Sequence, residues 1–328
     1  MRSAPSGIRF RLMVLVFPVV VVSVSLPLGA SFAVPVSSGT VSEDPAGSHA
    51  GGKHAPWEMI EPGLEFGVLK SPLLSDFSDS RIRILRIDPD YFEFRLMMAS
   101  AADGGRAMTA REWCLENGLV AAINASMYQS DHVTSIGLMK TRTHTNNSHL
   151  TEDNAVFAFD RLDDEVPPIQ IIDRQCQNLD SVGKLYGTLV QGIRMVSCYG
   201  NNVWSPQEKR WSSATIGIDR QGRALFIFVR SPYRMHDLVN ILLELPIDLK
   251  SLQYAEGGPE AQLYINGAEQ ERELFGSYET DFRWDDDNDY AWRVPNVVGI
   301  VRRSGPDDEE GSASSDFHNG ASRRAGGE

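Results

Sequence analysis

The chain has 328 residues, a formal net charge of −13 and 42% hydrophobic residues. This size and composition indicate a globular protein with one larger domain, and they exclude a fibrous or wholly disordered chain. No stripe of basic residues with interleaved aromatic residues occurs, so we do not expect nucleic acid as a partner.

The first 33 residues have the pattern of a secretory signal peptide. Three arginines precede an apolar run from Leu12 to Leu28, and small residues follow at Ser31 and Ala33. We expect cleavage after Ala33, hence an exported protein, periplasmic or extracellular, with no stable membrane span after cleavage. The alternative is a retained membrane anchor, although the run is short for a span and contains Pro18 and Pro27.

The rest of the chain divides into a linker, a domain and a tail. Residues 34–55 are rich in small residues and proline, and residues 304–328 almost lack large apolar residues. Neither composition can bury a core, so both segments are predicted to be disordered. Residues 56–303 are expected to fold as one domain.

No pattern in the sequence predicts a metal or a cofactor. The three cysteines lack CxxC spacing, and in an exported protein Cys176 can pair with Cys198, which leaves at least one cysteine without a partner in the chain. The acidic residues between Asp285 and Asp289 lack the spaced ligands and distal glutamate of an EF-hand. They predict a solvated acidic turn.

The predicted elements begin with two strands. The segments "RIRILRI" from Arg81 and "YFEFRLMMA" from Tyr91 flank an Asp-Pro-Asp turn and predict a hairpin. Thr109 and Glu112 have capping-box spacing, which predicts a helix over residues 110–117 that stops at the following glycine. The apolar run "LVAAINA" then predicts a strand covered on both faces.

Strands also dominate the second half of the chain. The segments "AVFAFD", "IQIID" and "GTLVQGIRMVS" predict strands, and "SATIGIDRQGRALFIFV" predicts a hairpin around Gly222. Apolar residues recur at helical spacing in "YRMHDLVNILLELPID" up to Pro246, which predicts an amphipathic helix. The last strands are "SLQYA", "AQLYI" and "VPNVVGIVRR". This pattern predicts an α+β fold with a mixed, largely antiparallel β-sheet core flanked by a few helices.

The segment "YAEGGPEAQLYING" places two carboxylates on a short turn between two predicted strands. Glu256 and Glu260 flank Gly257, Gly258 and Pro259. The glycines allow a positive φ and close approach of a ligand, and their N–H groups can bind an anion. The proline stiffens the turn, which suits positioned carboxylates. An ordinary tight turn with solvated glutamates is the alternative.

Four segments, in this order, resemble motifs of the phosphodiester glycosidase family, that of the lysosomal uncovering enzyme, over residues 119–301. They are Asn124–Tyr128 (Asn-Gly-Gly/Ser-Phe-Phe in the family), Gln191–Arg194 (a Gly-Pro-like segment), Ser213–Gly217 (Arg-Thr-Ala-Ile-Gly) and Ala255–Glu260 (Leu-Asp-Gly-Gly-Gly-Ser). The family's acid becomes Glu256, its last serine becomes Glu260, and its arginine becomes Ser213. These departures indicate a divergent branch whose substrate can differ.

The resemblance implies hydrolysis of a sugar-1-phosphodiester between the anomeric carbon and the phosphate oxygen. That reaction needs a carboxylate beside the carbon and hydrogen-bond donors for the phosphate. We assign an ionised Glu256 to the reacting centre and Glu260 to acid or base catalysis. The residues assigned to substrate binding are Asn124 for a sugar hydroxyl, Tyr128 for the sugar face, Arg194 for phosphate with Arg210 and Arg230 as rivals, Thr215 in the third segment, and Gly257 and Gly258 for close backbone approach.

Two other functions are compatible with the sequence. The missing arginine and the altered last segment suit a glycan-binding module that has lost catalysis. Alternatively, Glu256 and Glu260 serve an ordinary glycoside hydrolase as a carboxylate pair, which requires both carboxyl groups on the same side of the sheet. The polar stretch from His132 to His149 predicts an exposed loop over the site, with spacings that fit no standard metal centre.

Overall fold

The computed structural model describes residues 57–101, 105–267 and 270–303. The predicted signal peptide (1–33), linker (34–55) and tail (304–328) lie outside these residues. Within the described ranges, no helix has both the length and the apolar character needed to cross a membrane.

The described residues form sixteen strands and three α-helices. The strands are β1 (Trp57–Glu61), β2 (Leu64–Lys70), β3 (Arg81–Ile87), β4 (Phe92–Met98), β5 (Ala121–Asn124), β6 (Met139–Lys140), β7 (Thr145–Asn147), β8 (Ala155–Arg161), β9 (Gln170–Asp173), β10 (Tyr186–Val196), β11 (Trp211–Asp219), β12 (Ala224–Tyr233), β13 (Leu249–Gly257), β14 (Gln262–Asn266), β15 (Glu271–Phe275) and β16 (Asn296–Arg302). The helices are α1 (Ala110–Asn117), α2 (Leu179–Val182) and α3 (Met235–Glu244), with short 3-10 turns at Ala99–Ala101, Gly183–Leu185 and Gly258–Glu260.

The strands form two sheets. The larger has eleven strands in the order β1-β2-β3-β12-β11-β13-β10-β6-β7, with β8 paired to β10 and β9 paired to β8. The smaller has five strands in the order β15-β14-β5-β16-β4. Every strand pairing in the described part of the chain is antiparallel. The predicted α+β class with a largely antiparallel core is therefore confirmed.

The two sheets pack face to face and carry helices on their outer faces. Phe226 of β12 and Phe94 of β4 meet in the core between the sheets, with ring centroids 6.1 Å apart. On the outer face of the large sheet, α3 packs through Leu238. On the outer face of the small sheet, α1 packs Trp113 beside Ala122 of β5. The layers therefore run helix, small sheet, large sheet, helix.

Both predicted helices are confirmed. At the start of α1, the Thr109 hydroxyl accepts a 3.1 Å hydrogen bond from the Glu112 N–H, and the Glu112 carboxylate accepts one from the Thr109 N–H at 2.9 Å. Gly118 ends the helix with φ of 62°, a left-handed conformation that glycine adopts without strain. α3 buries the apolar face that its spacing predicts, including Leu242.

The hairpin predicted for β3 and β4 is wrong, although both strands exist. β3 pairs with β2 and β12 in the large sheet, whereas β4 pairs with β16 in the small sheet. The turn at Asp88 carries the chain from one sheet to the other. The alternating pattern of each segment predicts that it forms a strand, but it does not predict which strand it pairs with. The predicted hairpin of β11 and β12 is confirmed.

The cysteines divide as the sequence allows. Cys176 and Cys198 form a disulfide that joins the segment after β9 to the end of β10. Cys114 is a buried thiol in α1, and burial raises the pKa of that thiol.

Candidate functional site

The Glu-Gly-Gly-Pro-Glu turn connects the two sheets. β13 ends in the large sheet at Gly257, where it pairs with Ser213 of β11. The 3-10 turn Gly258–Glu260 follows, and β14 then begins in the small sheet at Gln262. The register of β11 and β13 shifts between Ala214 and Thr215, and such bulges redirect side chains. The two glutamates therefore lie at the crossover between the sheets.

A cavity of about 530 Å³ opens beside this crossover. Three carboxyl groups line it, those of Glu256, Glu260 and Glu279. Its aromatic lining residues are Tyr128, Trp204, Trp211 and Tyr254. Among the described residues, no arginine or lysine lines this cavity. Glu256 and Glu260 thus face the same space, as a carboxylate pair requires.

Glu256 is shifted toward its protonated form. Burial, with a further contribution from the negative charge of Glu260, raises the pKa of Glu256 to about 8. The N–H of Gly257 donates a 3.1 Å hydrogen bond to Oε1 of Glu256, so one N–H that the sequence assigns to anion binding serves the protein's own carboxyl group. At neutral pH the raised pKa favours the protonated form over the ionised Glu256 expected from the sequence.

The other two carboxyl groups are also shifted toward their protonated forms. Burial raises the pKa of Glu260 to about 7, and the negative charge of Glu279 adds to that rise. Burial likewise raises the pKa of Glu279, while the positive charge of Lys209 lowers it. Near neutral pH the cavity therefore holds both a protonated and an ionised carboxyl group, the two forms that acid and base catalysis need.

Both glycines of the turn are required by their surroundings. A β-carbon on Gly257 would overlap the hydroxyl of Tyr254 and the ring of Trp211. Gly258 has φ of +61°, and a β-carbon there would overlap the carboxylate of Glu279. Gly257 lines the cavity, whereas Gly258 lies against the side chain of Glu279.

Asn124 lies behind the cavity and holds the turn. It is fully buried at the end of β5 and does not line the cavity. Its Nδ2 donates a 2.9 Å hydrogen bond to the carbonyl oxygen of Glu260, and its Oδ1 accepts a 2.6 Å hydrogen bond from the N–H of Gln262. Asn124 therefore holds the backbone of the crossover turn, and the structure does not bring its side chain into the cavity, where the sequence predicts that it orients a sugar hydroxyl.

Arg194 points away from the cavity. Its guanidinium binds both carboxylate oxygens of Asp173, at 2.8 and 2.9 Å. The preceding residue, Ile193, lines the cavity, and successive side chains of a strand point to opposite faces. The structure therefore does not bring Arg194, the residue predicted to bind phosphate, together with Glu256 and Glu260.

Three other polar residues proposed for substrate binding, Arg210 just before β11, Thr215 in β11 and Arg230 in β12, are also engaged or buried elsewhere. Arg210 binds Asp76 at 2.9 Å, and Arg230 binds Asp286 at 2.7 Å. Thr215 is fully buried within β11 and does not line the cavity. None of the three reaches the cavity, so its chemistry rests on its carboxyl groups and aromatic rings.

The histidine-containing loop reaches the cavity only at its start. Tyr128 and His132 line the cavity, with ring centroids 5.5 Å apart. His144 and His149 do not line it, and Nε2 of His144 lies 2.9 Å from the hydroxyl oxygen of Ser100. The part of the loop up to Ile136 contributes to the cavity wall, whereas His144 and His149 lie outside the lining.

Four residues of the cavity are not predicted from the sequence. They are Trp204, Trp211, Tyr254 and Glu279. Tyr254 has a usable signal, because it precedes Glu256 by two residues in one strand and period-two spacing places side chains on one face. Trp204 and Glu279 lie in connections between strands, where spacing carries no such information. The carbonyl oxygen of Trp204 forms a 2.6 Å hydrogen bond with Nδ1 of His236 in α3, which positions the backbone at Trp204.

The described residues thus form a two-sheet sandwich with paired carboxyl groups in an aromatic-lined cavity. The sequence profile of the phosphodiester glycosidase family matches residues 117–301, more than half of the chain, and the chain belongs to this family. No curated protein matches the chain.

Two solved structures share the fold. One is the catalytic domain of zebrafish N-acetylglucosamine-1-phosphodiester alpha-N-acetylglucosaminidase, auto-inhibited by its pro-peptide, with 12% identity and a TM-score of 0.54 over 74% of this chain and 85% of that one. The other is a hypothetical protein from Synechocystis, with 12% identity and a TM-score of 0.53 over 77% of this chain and 65% of that one. At this identity the likeness shows the fold alone.

Proposed function

We propose that the chain is an exported hydrolase that cleaves a sugar-1-phosphodiester, with Glu256 as its key carboxyl group. The observation that carries the proposal is the convergence of Glu256 and Glu260 on one cavity at the crossover of the sheets. Family membership supports a glycosyl phosphodiester as the substrate class. The Cys176–Cys198 disulfide supports export, because such bonds persist in oxidising compartments.

The two carboxyl groups divide the chemistry between them. Glu256 retains its proton to a higher pH than Glu260, so Glu256 acts as the general acid and Glu260 as the general base. Glu260 accepts a proton from water as the water oxygen bonds to the anomeric carbon. The bond from that carbon to the phosphate oxygen breaks, and Glu256 donates its proton to the departing phosphate. The products are a free sugar and a phosphate monoester.

Protonated carboxyl groups also account for phosphate binding without an arginine. A neutral carboxyl O–H donates a hydrogen bond to a phosphate oxygen, whereas an ionised carboxylate repels it. Because burial raises the pKa of Glu256 to about 8, this carboxyl group can donate such a hydrogen bond to the phosphate at neutral pH. The departing phosphate monoester is a good leaving group, so the proton transfer from Glu256 need be only partial at the transition state.

The test is hydrolysis of a sugar-1-phosphodiester that carries an aryl group on its phosphate. The full chain is expected to release free sugar and aryl phosphate, and ¹⁸O from labelled water should enter the sugar. Glu256→Gln should reduce kcat by about 10²–10⁴-fold, the range for loss of a general acid. Glu152→Gln, an exposed glutamate outside the cavity, is the matched control. Unchanged turnover in Glu256→Gln, or label in the phosphate, contradicts the proposal.

A second candidate is a glycan-binding module without catalysis. The observation that favours it is the cavity lining, which has four aromatic residues and no described arginine or lysine. Aromatic rings bind sugar faces, and a phosphodiesterase ordinarily supplies cationic donors to phosphate. Calorimetric binding of the same substrate, with no product after prolonged incubation, would support the binding module over the hydrolase.

A further inference from the structure

Three aromatic rings form adjoining walls of the cavity. The ring centroids are 5.5 Å apart for Trp204 and Tyr254, and 6.4 Å apart both for Trp204 and Trp211 and for Trp211 and Tyr254. The planes are inclined to one another by 56°, 61° and 80°, so the rings are not stacked in parallel. All three residues line the cavity. The rings pack against one another, and because all three line the cavity, a cation that enters it can make cation–π contacts with this aromatic wall.

The charge of the cavity has the sign that a cation needs. Glu256, Glu260 and Glu279 line the same space as the rings. The described residues that line it include no arginine or lysine. The nearby Lys209 is bound to Asp281 at 3.1 Å, and both side chains are exposed. A cationic group in the cavity would therefore meet three acidic groups and no basic side chain except that of His132.

We propose that the cavity binds an organic ammonium group carried by the aglycone, so that the substrate is a zwitterionic glycosyl phosphodiester. This deepens the proposed function and rests on it for the sugar and the phosphate, whereas the ammonium site stands on the rings and carboxyl groups alone. The ammonium group would compensate the phosphate charge that no cavity arginine compensates. Its recognition would also explain how a phosphodiester enters an acidic cavity.

The proposal has a defined pH dependence. The titratable groups that face the cavity are Glu256 and Glu260 at the crossover, Glu279 of the following loop, Tyr128 and His132 after β5, and Tyr254 of β13. Ionisation of the glutamates makes the cavity more negative as the pH rises. The affinity for an ammonium ion should therefore rise between pH 6 and pH 9.

The experiment is calorimetric titration of the full chain with choline at pH 6 and pH 9, with 3,3-dimethylbutan-1-ol as the uncharged isostere. Choline should bind at least tenfold more tightly than the isostere and more tightly at pH 9 than at pH 6. Glu256→Gln and Trp211→Leu should each weaken choline binding at least tenfold at pH 9. The matched controls, Glu152→Gln and Trp284→Leu, change residues outside the cavity lining and should bind as the wild type does.

The outcomes separate this inference from the proposed hydrolysis. Equal affinity for choline and its isostere, or no binding of either, overturns the ammonium site even if phosphodiesters are hydrolysed. Choline binding without hydrolysis retains the ammonium site and contradicts the hydrolase. If Trp211→Leu fails to fold, the near-isosteric Glu256→Gln still tests the role of charge.

Discussion

The side-chain amide of Asn124 and the backbone carbonyl of Glu260 are joined by a 2.9 Å hydrogen bond across the crossover. The same side chain accepts a 2.6 Å hydrogen bond from the N–H of Gln262. One buried residue at the end of a small-sheet strand therefore fixes the turn that carries both carboxyl groups of the cavity. Asn124 does not line the cavity, but it helps to position the turn that carries the two carboxyl groups.

Replacing Asn124 with alanine should destabilise the protein by about 1–3 kcal/mol, because the N–H of Gln262 loses its partner and the carbonyl oxygen of Glu260 keeps only a 3.3 Å hydrogen bond from the side chain of Gln262. The measurement is the free energy of unfolding in denaturant. Asn117→Ala is the control, since that asparagine makes one hydrogen bond at an exposed helix end and should cost about 1 kcal/mol or less. Equal losses in the two variants would contradict a positioning role for Asn124.

The pH dependence of hydrolysis should follow the carboxyl pair. Glu260 must be ionised and Glu256 protonated, so kcat/KM should be bell-shaped with limbs near pH 7 and pH 8. Glu279→Gln removes a negative charge that raises the pKa of both glutamates, so both limbs should move to lower pH. The profile of Glu152→Gln should match that of the wild type. Limbs that stay in place in Glu279→Gln would show that Glu279 does not act on the pair.

The stability of the fold should also depend on the protonation of Glu256. Its pKa is about 8 in the folded chain and 4.5 in its ordinary state, so the folded chain binds more protons between these values. Stability contributed by the protonated group is therefore complete below pH 4.5 and is lost as the pH rises toward 8. Glu256→Gln, which cannot ionise, should be more stable than the wild type by about 1–3 kcal/mol at pH 9 and equal to it near pH 4. Denaturant unfolding at the two pH values measures this, and a gap that stays constant with pH would exclude it.

Loss of the disulfide should destabilise the protein by about 3 kcal/mol, because the 22-residue separation of Cys176 and Cys198 closes a loop of moderate length. The measurement is the unfolding midpoint of the wild type with and without reductant. The double variant Cys176→Ser, Cys198→Ser should match the reduced wild type and should not respond to reductant. A response in that variant would assign the effect to another group.

The sequence predicts the helices and strands of this fold better than it predicts which strands pair with each other. Alternation identified β3 and β4, and capping residues placed both ends of α1, because these signals depend on neighbouring residues. The pairing of β4 with β16 depends on residues about two hundred positions apart, and alternation carries no information about it. The hairpin of β11 and β12 was predictable because its turn is local.

The site divides in the same way. Glu256, Glu260 and Gly257 share one short turn, so one segment of sequence brought them together. The phosphate-binding role of Arg194 is predicted from a segment that resembles a family motif. Such a resemblance does not say which face of the strand a side chain occupies, and here alternation along β10 directs Arg194 to Asp173. Glu279 reaches the cavity through a connection between strands, so no spacing in the sequence places it there.

The crossover has a consequence for how the protein loses its function. A site built on a mobile surface loop can fail while the rest of the molecule stays intact. Here the carboxyl groups stand where two sheets are joined, and a buried amide ties that junction to a central strand of the small sheet. Thermal inactivation should therefore coincide with the cooperative unfolding of the whole domain. The hydrolytic activity that remains at each temperature would then measure the fraction of folded protein.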